Sequence, residues 1–226
     1  MANGSDARAR VVALRAGSLD RLHPATATSV FWELDPLTST ADALSPEIDK
    51  EAWLVARAYE QGTVGFSIVD VRSDTGALAT VLYCPAADAP GAVRMPTAPV
   101  SRDAWLITSL HIDPLVSRSG WESVLLDSVI GAATSAGIDA LEVFGVRRDA
   151  DAAALSEACR EMLKKAVPMG LCDVAVLESA GFKVHVDHPA VPRLRLSLPP
   201  VFDLMAAHEF ADLLAEVRLN YINVIE

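Results

Sequence analysis

The chain has 226 residues, 51% of them hydrophobic and 22% charged, so it carries enough apolar surface to bury a core and is excluded from the disordered class. Its net charge of −11 excludes nucleic acid as the main partner, because phosphate contacts need clustered Lys and Arg, and it suits a cationic substrate such as an amine. The opening "MANGSDARAR" is polar and only "VVAL" precedes Arg15, so no signal-peptide core is present; no window reaches the roughly 18 apolar residues of a membrane span, and a soluble cytoplasmic protein without a membrane partner is expected.

Residues 1–10 read as a flexible N-terminus, and "VVALRA" (11–16) as a first strand. "GSLDRLHPATATSVFWELDP" starts a helix near Asp20, breaks at Pro24 and resumes over "ATATSVFWEL". "SPEIDKEAWLVARAYEQG" is a further helix: Ser45 caps it, Pro46 suits its first position and Gly62 ends it. Two strands follow, "VGFSIVDV" (64–71) and "ALATVLYC" (77–84), joined by the hairpin loop "RSDTG". Residues 85–104 are rich in Ala and Pro and read as a long loop or lid, or as a ragged hairpin.

"AWLITSLHI" (104–112) is a strand, and strict alternation puts Trp105, Ile107, Ser109 and His111 on one face. "WESVLLDSVIGAATSA" (121–136) is a helix by the spacing of Trp121, Val124, Leu125, Val129, Ala132 and Ala136, closed by Gly137. "DALEVFGV" (139–146) completes a βαβ unit, whose two strands run parallel. "DADAAALSEACREMLKKAV" (149–167) and "GLCDVAVLESAGF" are helical pieces. "KVHVDH" and "RLRLSL" form a closing hairpin. The tail 201–226 carries an amphipathic helix with an apolar stripe from Phe202 to Val217, packed on its own domain or on a second subunit of a homodimer. The fold class is therefore α/β with a mixed sheet: antiparallel N-terminal strands, a central βαβ unit, a C-terminal hairpin and an extra helix.

The three cysteines, Cys84, Cys159 and Cys172, are odd in number and form no CxxC pair, so they read as small buried hydrophobes rather than a disulfide scaffold or a zinc site. In "HVDH" (185–188), His185 and Asp187 lack a third ligand, and a polar turn is the reading; no metal is assigned.

Between the strand 104–112 and the helix 121–136 lies "PLVSRSG". Ser119-Gly120-Trp121-Glu122 fits a capping box S-x-x-E, in which the helix start satisfies itself. The same amides fit a cradle for a phosphate-bearing group, because free N–H groups at a helix start carry about half a positive charge. The residues alone leave both open.

"LHIDPLVSRSGWESVLL" and the late "VAVLESAGFKV" resemble the GNAT superfamily of acyl-CoA-dependent N-acetyltransferases, over roughly Val11 to Leu198. The first resembles the family's strand, Pro turn and cofactor loop R-x-x-G-x-G/A; the second resembles its late helix ending in Gly-Phe. The resemblance implies a GNAT-like fold over 11–200 and transfer of an acetyl group from acetyl-CoA, the cosubstrate, to a primary amine of a small molecule or peptide. It places the pantetheine along the strand at Leu110, His111 and Ile112. It places the diphosphate over Ser117, Arg118, Ser119, Gly120, Trp121, Glu122 and Ser123. Three departures stand out. Ser117 replaces the usual Arg or Gln, with Arg118 one place off; Glu122 replaces a small residue; and Leu177 stands where family members often carry a Tyr as acid for the leaving thiolate. A non-catalytic GNAT-like module that binds a ligand or partner is therefore the alternative.

Acyl transfer to an amine needs a base for the amine, which titrates near ~10.4 when free, a donor for the oxyanion and protection of the leaving thiolate. Three residues are candidates for the acid and base. Glu33 lies in the segment that lines the acceptor pocket in such enzymes, or is a solvated helical residue. His111 is catalytic or packed in the core. Tyr221 reaches back from the tail or packs within it.

Overall fold

A computed structural model of the chain describes residues 9–34, 45–71, 76–114, 120–150 and 155–200. The expected tail helix, with Tyr221, and Ser117 to Ser119 lie outside these residues.

β1 (Ala9–Leu14) is followed by a short helix α1 (Pro24–Thr28), capped by His23 through its Nδ1, which accepts from the Ala25 amide at 3.1 Å. The expected helix near Asp20 does not form, and α1 stops at Thr28 instead of running on through Leu34. β-Branched Thr26, Thr28 and Val30 lower helix propensity there, and Trp32 gains more by burying its ring. α2 (Pro46–Gln61) begins as expected: the Ser45 hydroxyl accepts from the Ile48 amide at 3.3 Å, and Gly62 ends the helix at φ 82. β2 (Gly65–Asp70) and β3 (Ala79–Pro85) pair antiparallel, and residues 86–94 contain two 3₁₀ turns rather than an open lid.

β4 (Ala104–Ile112) pairs antiparallel with β3, and β5 (Ala140–Val146) pairs parallel with β4 across the helix α3 (Trp121–Ser135). The connection after β5 holds α4 (Glu157–Lys164), capped by Ser156, then α5 (Ala166–Met169) and a two-residue strand β6 (Cys172–Asp173). Of the Ala-rich run, the helix α4 begins at Glu157 behind its cap Ser156, and residues 151–154 lie outside the described residues. α6 (Val174–Ser179), β7 (Lys183–Val186) and β8 (Arg193–Ser197) complete the described residues. The eight strands form one sheet in the order β1-β2-β3-β4-β5-β8-β7, with β6 attached to β5.

α3 and α6 cover one face of this sheet over a core that includes Val81, Ile107, Leu125, Leu126, Val143, Leu177 and Phe182. The other face buries Trp32, Leu106, Phe144 and Leu155 with part of α4, and α2 packs Leu54 and Ala58 on Leu14, Val64 and Leu82. Burying a large aliphatic or aromatic side chain contributes about 1.5–3 kcal/mol, so these clusters dominate the stability. A charged stitch crosses the second face. Glu142 on β5, fully buried, accepts from Arg193 and from Arg195 (3.0 Å), and Arg195 also pairs with Asp103 at 2.6 Å.

β4 is not a regular strand. Its pairing with β3 runs Leu82↔Ser109 and then Tyr83↔Ile107, leaving Thr108 without an opposite residue. This bulge flips the alternation. Trp105, Ile107, Leu110 and Ile112 join the core under α3, while Leu106, Ser109 and His111 turn to the opposite side. The expected common face of Trp105, Ile107, Ser109 and His111 is thereby corrected. Strict period two fails where one residue is inserted.

Candidate functional site

The bulge has a second effect. β4 and β5 are paired only from Ala104↔Ala140 to Ile107↔Val143, and beyond Ile107 they part. A strand that bends out of its ladder leaves backbone donors and acceptors facing a gap. In this gap lies the chain's own segment 166–173. β6 pairs with Gly145 and Val146 of β5, and on the other side the Leu110 amide donates to the Gly170 carbonyl at 2.8 Å.

Three successive carbonyls of this segment are held. Pro168 accepts from the Ser29 hydroxyl at 2.9 Å and from His111 Nε2 at 3.2 Å; Met169 accepts from the Trp32 indole N–H at 2.8 Å; Gly170 accepts from Leu110. Gly170 turns at φ +71, and a Cβ added there would lie 2.8 Å from both the Leu110 nitrogen and the Ser109 Cβ. Only glycine combines this close approach with this backbone.

His111 is therefore a neutral imidazole with a fixed tautomer. The Pro168 carbonyl can only accept, so Nε2 carries the proton, and Nδ1 accepts from the Thr26 hydroxyl at 3.0 Å. Burial pushes its pKa down from 6.5 to about 4, the charges of His23 and Lys50 acting in the same direction. The His23 ring stacks on it at 6.1 Å. Beside it, the buried Ser109 hydroxyl has no hydrogen-bond partner among the described residues.

Glu33 is not a solvated helical residue. Its side chain is fully buried and pairs with the equally buried Lys50 of α2, which also stands 5.7 Å from the Trp53 ring centre. Its Oε2 has no partner among the described residues. Burial lowers the Lys50 pKa, with Glu33 opposing that shift. The Lys50 charge reaches His111, so Glu33, Lys50 and His111 share one electrostatic neighbourhood.

At the far end of β4, α3 begins with Gly120 as its N-cap, at φ 72 and without a side-chain cap. The capping box, one of the two arrangements the residues allow, is out of register. With Gly120 as N-cap, Glu122 falls on the second helical position rather than the third. No described residue accepts from the amides of Trp121, Glu122 or Ser123, and the Val124 amide returns to the Gly120 carbonyl at 3.4 Å. Burial, Glu122 and Asp173 together push the Cys172 thiol up to about 12. Burial likewise raises the Cys84 thiol, so neither is a thiolate nucleophile. Leu177 is fully buried under the sheet and contributes packing, not a proton. In "HVDH", Asp187 pairs with Arg147 at 2.7 Å, and His188 Nδ1 accepts from the Ala190 and Val191 amides, which is the expected polar turn.

The structure thus brings Glu33 and His111 to one side of β4, and Leu110 and the start of α3 to the gap. Reading the sequence missed Thr26, Ser29, Lys50, Ser109 and the turn at Gly170. Pro168 and Gly170 at the junction of two helical pieces were the available signal.

No family model and no curated protein matches the chain. Among solved structures it is similar to an N-acetyltransferase from Staphylococcus aureus (13% identity, TM-score 0.47, covering 84% of this chain and 99% of that one). It is also similar to an acetyltransferase of the GNAT family from Streptococcus pneumoniae (11%, 0.47, 84% and 99%) and to a GNAT-like decarboxylase in complex with isobutyryl-CoA (18%, 0.46, 84% and 99%). In its own strand order, with antiparallel β1 to β4, the β4-α3-β5 unit and the β7-β8 hairpin, the chain has a GNAT-like fold.

Proposed function

We propose that this chain is an acyl-CoA-dependent N-acyltransferase that moves an acetyl group from acetyl-CoA to a primary amine of a small molecule or peptide, in the cytoplasm, as a monomer or homodimer. The observation that supports it is the parting of β4 from β5 after Ile107, followed in sequence by a helix start whose first amides have no acceptor among the described residues. A parted strand offers backbone groups to an extended amide-bearing arm, and the amides of Trp121 to Ser123 offer a cradle to phosphate. Leu110, His111 and Ile112 would line the pantetheine, and Ser117 to Ser123 the diphosphate.

Bound acetyl-CoA supplies the activated carbonyl. The chain supplies a donor to the oxyanion and a group that takes the amine's proton. Glu33 and His111 are the described candidates, and Tyr221 the one outside the described residues. His111 Nε2 is tied to the Pro168 carbonyl, and Glu33 to Lys50. His111 gains a free ring edge only when Pro168 moves away. The acidic surface favours approach of a cationic amine.

A second reading is a non-catalytic GNAT-like module. Two observations favour it: the Leu110 amide is already taken by Gly170, and Leu177 offers no acid. Calorimetric titration with acetyl-CoA separates the two. The acyltransferase reading predicts saturable micromolar binding. No heat at millimolar acetyl-CoA would leave the module.

A further inference from the structure

We infer that residues 166–171 form an internal strap that occupies the parted β4/β5 groove and must leave before any extended ligand can pair with β4. The inference regulates the site proposed above and rests on that reading only for the identity of the ligand.

Four features carry it. The strap's three successive carbonyls take the donors that line the groove: Ser29 and His111 on Pro168, Trp32 on Met169 and Leu110 on Gly170. The one carbonyl set into the β4 ladder, that of Gly170, sits where an amide carbonyl of an extended ligand would pair with Leu110. The closed arrangement is polar-incomplete, because the buried Ser109 hydroxyl beside Gly170 lacks a partner among the described residues, a cost an incoming acceptor would remove. The strap is also a short piece. α5 has four residues, it ends in a left-handed glycine, and Val167 on it is 75% exposed, so it covers the groove without being a core element on its outer side.

A strap closed most of the time lowers apparent affinity by the fraction of molecules that are open, without altering the groove's intrinsic affinity. Weak binding of acyl-CoA by the wild type would then reflect the strap and not a poor site. The strap also holds His111, so it withholds the base candidate and the cosubstrate groove together.

The test uses two variants of the full chain. Gly170→Ala forces a methyl against the Leu110 amide, and Ser29→Ala with Trp32→Phe removes two donors to the strap carbonyls. Exchange of the Leu110 amide with solvent is followed by NMR, and coenzyme A is titrated calorimetrically. Both variants are expected to speed Leu110 exchange at least about ten-fold beyond what their loss of global stability, measured in parallel, accounts for, and to bind coenzyme A about ten-fold tighter than the wild type. Faster exchange in both variants without coenzyme A binding would support the strap and sink the acyltransferase reading. Leu110 exchange that occurs only through global unfolding in the wild type and in the donor-deleted variant would overturn the strap and make 166–171 permanent core. Should Gly170→Ala fail to fold, the donor-deleted variant decides alone.

Discussion

His111 is the residue on which packing and chemistry meet. Its folded pKa of about 4 lies below the ordinary 6.5, so the unfolded chain takes up the proton first. The neutral ring's contribution to stability is complete above the unfolded pKa and is lost as pH falls from about 6.5 to about 4. A shift of this size corresponds to ~3 kcal/mol. Chemical denaturation of the wild type and of His111→Gln, at about pH 7 and about pH 4, should show the wild type losing ~3 kcal/mol more. Equal losses would mean that burial does not depress the His111 pKa and that the ring titrates like an exposed imidazole. Glu122 is the second residue of consequence. A carboxylate about 6 Å from a diphosphate charge is repelled by ~3 kcal/mol at an effective dielectric near 20, less with screening. Glu122→Gln should therefore tighten acetyl-CoA binding several-fold, while the helix loses up to about 1 kcal/mol of dipole stabilisation. Unchanged affinity would place the diphosphate away from the start of α3.

Among the elements, β5 and β8 depend on one buried stitch. Glu142, beneath the sheet, is costly to bury, yet hydrogen bonds from Ser101, Arg193 and Arg195 hold its carboxyl below the ordinary value of 4.5. Glu142→Ala leaves Arg193, itself buried, without its carboxylate, and should cost about 3–5 kcal/mol, measured by urea denaturation. In the wild type the stitch's contribution is present above the unfolded carboxyl pKa and is lost as pH falls through the lowered folded one. A loss under about 1 kcal/mol would show the pair to be replaceable by water. The elements themselves were largely legible in the sequence. Ser45, Pro46 and Gly62 set α2, and the strands follow β-branched runs. The bulge of β4 was not legible. "AWLITSLHI" carries no Gly or Pro to mark it, and a one-residue insertion is decided by how β3 and β5 pull on either side. The break between the helical pieces at Pro168 and Met169 was legible in the sequence, but the path of the turn was not, because the hydrogen bonds to Trp32, Ser29 and β4 decide it.

At the scale of the whole molecule, the order of elements was legible from alternating periods and short connections, and with it the GNAT-like sheet. The site was legible in part. The strand 104–112 and the helix 121–136 came from sequence pattern, and the candidate Glu33 from the family resemblance. The closure of the groove did not, because it joins residues 29–32, 109–111 and 168–170, which are far apart in sequence. The central claim is that acetyl-CoA enters this groove and lies along β4 to the start of α3. Hydrogen exchange with and without saturating acetyl-CoA, read peptide by peptide across the full chain, tests it most directly. The account predicts slower exchange in 108–112 and 120–124 together with faster exchange in 166–171. Protection confined to other segments, such as 157–164 or 183–197, or no change anywhere at saturation, would contradict it.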